Sequence, residues 1–252
     1  MKRNSFVIAG IALVLTVVVL ATFVLTGCDF TRKLTGAELS FPSKVSGSDK
    51  LSFKMNITYT KDEVTTVIDM ECFRAKNADG AEEYAYVYST PSAAYGSYKN
   101  IYADNKLYEQ VDVTKVSGIY HITDDVSVED DGNILYHITK KILLTSVAAF
   151  VSKAKQETLR GEEVYRYDVS INDKSFSLWY NSDVLVQIYV AFESDGEPTE
   201  EYTIYLSDYT FEQDLPEDTF KRPDTYGITY LESPISFENW TGILTSFGSK
   251  LG

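Results

Sequence analysis

The chain has 252 residues, 37 acidic against 23 basic, and a formal net charge of −14. That acidity opposes binding to nucleic acid or anionic headgroups and suits a solvated cell-surface domain. Two cysteines and two histidines leave little material for a disulfide framework or for acid–base catalysis.

Lys2 and Arg3 form a short positive region, and from Phe6 to Leu25 only apolar or small residues follow. About 20 apolar residues suffice to cross a bilayer, and a signal peptide has a similar if shorter core. Leu25, Thr26, Gly27 and Cys28 resemble the lipobox of bacterial lipoproteins, in which a leucine and two small residues precede a cysteine that is diacylated and becomes the mature N-terminus. The resemblance implies that residues 1–27 are a signal peptide and that Cys28 carries lipid such as palmitate. An uncleaved anchor helix is the alternative. Either way the chain from residue 29 on lies on the extracytoplasmic face of the cell membrane, and two acyl chains hold a protein where one is marginal.

Removing residues 1–27 takes Lys2 and Arg3 but no acid, so the mature chain is more acidic still. Its roughly 225 residues can bury one substantial core. Cys72 is then the remaining cysteine, in strand phase with Ile68 and Met70, which implies a small buried hydrophobe. Residues 28–49 comprise the lipidated cysteine and a Ser-, Thr- and Gly-containing tether with little periodicity.

From Leu51 the pattern has period two. "LSFKMNITYT" puts Phe53, Met55, Ile57 and Tyr59 on one face, and "EVTTVIDMECFRA" does the same with Val64, Ile68, Met70 and Cys72. Tyr84, Tyr86 and Tyr88 form one row, and "KNIYADNKLYEQVD" reads as a hairpin turning at Asp104, Asn105 and Lys106. After "VEDDGN" the alternation stops. Ile138, Ile142, Val147 and Val151 recur at helical spacing, which predicts an amphipathic helix over 139–155.

Strand patterns return in "EEVYRYDVSI", "SFSLWYN", "VLVQIYVAFES" and "EEYTIYLSDYTFEQ", with connections of a few residues that force antiparallel pairing. Trp240, Ile243, Leu244, Phe247 and Leu251 predict a C-terminal amphipathic helix from near Ser236. These elements imply an α+β fold: an open, curved antiparallel sheet, or half-barrel, with one or two amphipathic helices over its concave face. The sheet domain spans 50–226, and 227–252 form a C-terminal helical extension.

The segments "LRGEEVYRYDVS", "FSLWYNSDVLVQIYV" and "YTIYLSDYTFEQDLPEDTFKRP" resemble, in order and spacing, the LolA-like lipoprotein-carrier superfamily, which includes mycobacterial lipid-binding lipoproteins. Phe220 and Pro223 stand where the family's closing signature ends. The resemblance covers about residues 159–223 and concerns packing positions, so it speaks to fold more than activity. It implies that an acyl chain, a lipid or a lipidated partner binds between sheet and helices, with Ile138, Ile142, Val147, Val151, Tyr84, Tyr86 and Tyr88 as groove residues. The tail after Pro223 departs from the family and could fill the groove instead.

No catalytic chemistry is legible: G-x-S-x-G, HExxH, Walker and CxxC patterns are missing, so no enzyme activity and no cofactor are expected. His121 stands near Asp124, where a strand-edge histidine bonded to backbone or solvent is the plainer reading, and His137 has the same one. The acidic run Asp124, Asp125, Glu129, Asp130 and Asp131 suggests calcium, but aligning Gly132 with an EF-hand glycine puts Ser127 first and Ile138 where a bidentate Glu is needed. No metal site is expected. The tyrosines read as strand packing, with a wet groove or a carbohydrate face as the alternative.

Overall fold

The computed structural model describes residues 36–89, 97–114, 117–142, 154–171, 174–194, 197–223, 228–235 and 240–251. Cys28, the signal region, Val147 and Val151 lie outside these residues. Helix α1 (Gly36–Gly47) leads into β1 (Lys50–Lys61), β2 (Val64–Lys76), β3 (Glu82–Ser89), β4 (Ser97–Ala103), β5 (Lys106–Thr114) and β6 (Ser117–Asp124). A short helix α2 (Ile134–Tyr136) runs into a π-helical turn, His137–Ile142. Strands β7 (Lys155–Leu159), β8 (Glu162–Ile171), β9 (Lys174–Asn181), β10 (Val184–Ser194), β11 (Glu197–Phe211) and β12 (Ile228–Tyr230) follow, then helix α3 (Trp240–Leu251).

All twelve strands form one curved, unclosed sheet in the order β12-β6-β5-β4-β3-β2-β1-β11-β10-β9-β8-β7. Two meanders, β1 to β6 and β7 to β11, stand side by side and are joined where β1 pairs antiparallel with β11. Short connections dictate each meander. At the β4–β5 hairpin Asp104 and Asn105 both take positive φ (55° and 57°), which a right-twisting two-residue turn requires.

Period two decides the faces. Leu51, Phe53, Met55 and Ile57 of β1, then Ile68, Met70 and Cys72 of β2, share a core with Tyr202, Ile204 and Leu206 of β11. The same core includes Phe41 and Val45 of α1, Ile134, Leu135, Ile138 and Ile142, and the apolar side of α3. The helices therefore lie on the concave face. A smaller cluster, Phe73, Ala85, Ile101 and Ala103, lies on the opposite face and is covered by Leu215 and Phe220.

Three boundaries differ from the sequence expectations. The stretch read as tether is helical from Gly36 to Gly47, because Phe41 and Val45, one turn apart, find sheet aromatics to pack on: Tyr209 meets Phe41 edge-on at 5.2 Å. The mid-chain helix begins at Ile134 rather than 139, since the Asn133 side chain accepts from the Tyr136 N–H and caps it. It also cannot reach residue 155, where β7 has begun and Lys155 pairs with Arg166. Strand β12 is three residues long, too short to show alternation, and pairs parallel with β6. The C-terminal segment thus adds both a strand and a helix to the structure laid down by 50–226.

Candidate binding site on the concave sheet face

Register aligns the inward-facing residues in rows. Met70, Tyr88, Tyr98 and Val111 form one row across β2 to β5, and Cys72, Tyr86, Asn100, Glu109 and His121 form the next across β2 to β6. Of the expected groove residues, Tyr84, Tyr86, Tyr88, Ile138 and Ile142 come together in this core, each at most 2% exposed.

The phenol groups of the first two tyrosines are engaged by the chain itself. Tyr86 donates to Asn133 Oδ1 and accepts from the Leu135 N–H at 3.0 Å, which fixes α2 on the sheet. Tyr84 donates to Glu82 Oε2 at 2.7 Å, and Lys140 bonds the same carboxylate at 2.7 Å. These rings act as packing and as positioning devices for α2.

Helix α3 occupies the rest of the face. Trp240, Ile243, Leu244, Phe247 and Leu251 are all buried, with Trp240 5.7 Å from the Tyr88 ring and Phe247 5.0 Å from that of Tyr202. Each such side chain contributes about 1.5 to 3 kcal/mol on burial. Gly248 crosses so close to the acidic loop that a Cβ there would stand 1.9 Å from the Asp131 carbonyl oxygen and 2.7 Å from His137 Nε2. A glycine is required at that crossing.

Polar groups on the same face grip the C-terminal segment. Glu200, 8% exposed, bonds Lys61 at 2.9 Å and also Lys250 of α3. Burial works to raise its pKa, and the two lysines outweigh that, so the carboxyl titrates below its usual value. Tyr202 donates to the Ile243 carbonyl at 3.4 Å. At the other end Glu109 accepts from Tyr98 at 2.8 Å and from the Ile235 N–H at 3.3 Å; burial raises its pKa despite these bonds.

His121 sits on β6 with Nδ1 2.8 Å from the Leu231 carbonyl, the backbone contact anticipated for it. His137 is different: it is fully buried, and among the described residues none makes a well-formed hydrogen bond to either ring nitrogen, with the Asp130 backbone the nearest polar influence. Burial, with Lys141 adding to it, holds its pKa below the usual value. Arg74, 1% exposed, donates to the Ser48 carbonyl at 2.9 Å and to that of Val45, closing the C-terminal end of α1 with a cation. Cys72 is a buried free thiol whose pKa burial pushes up.

Among the described residues no three His, Cys, Asp or Glu side chains converge as a metal site. Asp124 of the acidic run pairs with Lys106 at 2.7 Å, and Asp130 accepts from the Gly132 N–H. On the convex face a depression of about 270 Å³ is lined by Lys54, Met55, Asn56, Asp69, Met70, Glu71, Tyr205 and Ser207.

Sequence reading missed Arg74, Glu109, Glu200 and Gly248. The same signal existed for two of them: Arg74 continues the row Ile68, Met70 and Cys72, and Glu200 is in phase with Tyr202, Ile204 and Leu206, so in each case a charge interrupts an inward row.

No protein-family model matches the chain, and no curated protein matches it significantly. Among solved structures the chain is similar to LprF from Mycobacterium bovis, at 10% identity over 73% of this chain and 96% of that one, with a TM-score of 0.41. It is similar to a LolA superfamily protein from Nitrosomonas europaea, at 14% identity over 74% and 96%, with a TM-score of 0.34. A third is the Pseudomonas aeruginosa MucA/MucB complex, at 12% identity over 75% and 62%, with a TM-score of 0.40. The family that residues 159–223 resemble is thus represented among these structures. Likeness at this level carries no argument about ligand or activity.

Proposed function

We propose that this is an exported, lipid-anchored, non-enzymatic binding protein whose concave sheet face takes a hydrophobic element: an acyl chain, a lipid or a lipidated partner. Lipidated Cys28 attaches it to the extracytoplasmic face of the membrane. The observation that supports the reading is the seating of α3: a discrete terminal segment, rather than the sheet's own strands, covers the apolar face with five buried side chains. A ligand enters by displacing α3 from the tyrosines of β3 and β11.

A second reading is favoured by the Glu200 bridge between Lys61 and Lys250: α3 stays seated, and the protein is an interaction or sensor module with its concavity filled by its own helix. One comparison separates the two. The chain from residue 29, with and without residues 236–252, is purified gently and assayed with an environment-sensitive apolar dye, beside mass spectrometry of an organic extract. Binding by displacement requires dye binding to rise when 236–252 are removed and acyl lipid to appear in the extract. A truncated chain that stays dye-silent and lipid-free overturns the proposal.

A further inference from the structure

We infer that the hydrophobic element read by the concave face is an amphipathic protein helix, and that α3 is this chain's own stand-in for it. The inference rests on the binding role proposed above and narrows its ligand to a protein partner. The partner helix carries an apolar stripe, a glycine near its C-terminal end and a lysine two residues further on.

Three features of the seat recognise peptide rather than hydrocarbon. First, the occupied strip matches helical periodicity: positions 240, 243, 244, 247 and 251 of α3 are buried, while Gly242, Thr245 and Ser249 face solvent. Second, the Asp131 carbonyl and His137 come so near the helix axis at Gly248 that no side chain fits. The neighbour is main chain and cannot swing aside as a side-chain tip can, so this is a notch that favours glycine; a flexible acyl chain has no need of one.

Third, the inward polar groups bond main-chain atoms or a cation. Tyr202 donates to the Ile243 carbonyl, and Glu109 accepts from the Ile235 N–H. Glu200 receives Lys250, in the last turn of α3, where a cation also complements the helix dipole. Lys61 of the sheet already pairs with one oxygen of this carboxylate, and Lys250 takes the other, so the site suits a second cation better than it suits hydrocarbon. The cation–π contact of Lys250 with Phe192, 4.7 Å from the ring centroid, extends the same preference.

Helix α3 is suited to yielding its place. At twelve residues it is shorter than helices that persist alone in water, and Gly242 and Gly248 weaken it further. A partner with the same contacts on a longer, better helix-forming segment displaces it.

The test uses the mature chain with Cys28→Ser, as wild type and with either Gly248→Ala or Lys250→Glu. The first variant blocks the notch. The second acts at the rim, where the lysine side chain is 30% exposed, and breaks the pairing with Glu200 without altering an apolar side chain. The probes are a fluorescein-labelled peptide of residues 234–252, the same peptide carrying Lys250→Glu or Gly248→Ala, and a fluorescent sixteen-carbon fatty acid.

Both chain variants are expected to bind the native peptide about tenfold more tightly than wild type, and both altered peptides to bind about tenfold more weakly than the native one. Equal affinity of the native peptide for all three chains overturns the inference, as does equal affinity of the three peptides. If the fatty acid binds the variants and the peptide does not, the helix inference falls while the hydrophobic-ligand reading stands. If neither probe binds, both fall.

Discussion

At the scale of single residues, charged groups were the hardest to anticipate and carry much of the structure. Arg222 donates to Glu83 at 2.9 Å and Asp104 at 2.8 Å and lies over the Tyr108 ring, fastening the segment that covers the convex-side core. The Glu83 side chain is 11% exposed, so removing its partner strands a nearly buried carboxylate. Arg222→Ala is expected to cost about 1.5 kcal/mol in urea unfolding and roughly 1 kcal/mol less in a Glu83→Gln background. Strictly additive costs would show the pair to be decorative. Neither residue stood out in the sequence, because strand alternation marks the side of a sheet and says nothing about what a distant loop brings to it.

At the scale of elements, His137 shows how packing controls titration. It opens the π-helical turn, faces Gly248 of α3 and has Lys141, Asp130 and Asp131 as charged neighbours. Its folded pKa lies below the ordinary 6.5, so below pH 6.5 the unfolded chain takes up a proton that the folded chain refuses. Stability present above pH 6.5 is therefore lost as pH falls toward and through the lowered value. Glu109 acts oppositely: its pKa is raised above 4.5, and its contribution, present at or below that pH, is lost as pH rises through the raised value. Between pH 7 and pH 5 the loss from His137 runs against the gain from Glu109, so His137→Phe should melt relatively higher at pH 5 than wild type does when each is referred to its value at pH 7. An unchanged difference in the variant would assign the pH dependence elsewhere.

The long strands β1, β8, β9 and β10 lie where the sequence pattern placed them, although β9 is buried on both faces from Phe176 to Tyr180 and β10 changes phase between Leu185 and Gln187. Legibility failed for α1, where Leu39, Phe41 and Val45 are scattered through a stretch of small and polar residues with no clear helical stripe. It failed for β12, whose pairing is decided by β6 and not by its own three residues.

At the scale of the molecule, attachment is the property to test. Cys28→Ala in the full chain is expected to abolish incorporation of labelled palmitate and to reduce the membrane-bound fraction strongly, since the anchoring acyl chains are lost. Palmitate-free protein that stays membrane-bound in both wild type and variant would mean that the apolar run of residues 6–25 is an uncleaved helix. Were Cys28 lipidated, the eight residue steps from it to Gly36 of α1 could span no more than about 29 Å. The domain would then stand close to the bilayer, where an acidic surface keeps it from lying down on anionic headgroups.

The half-barrel and the sharing of one face by Tyr84, Tyr86 and Tyr88 were inherent in the chain, because period two and short connections are local and each strand announces them independently; which face is concave was not. Which segment covers the concave face is a different kind of fact. It depends on the distance from Gly248 to the Asp131 carbonyl, and on Glu200 meeting a lysine 50 residues away. Such contacts arise only when both meanders have paired and α3 has come to rest. No local pattern encodes them, since the energy of each belongs to two remote partners at once.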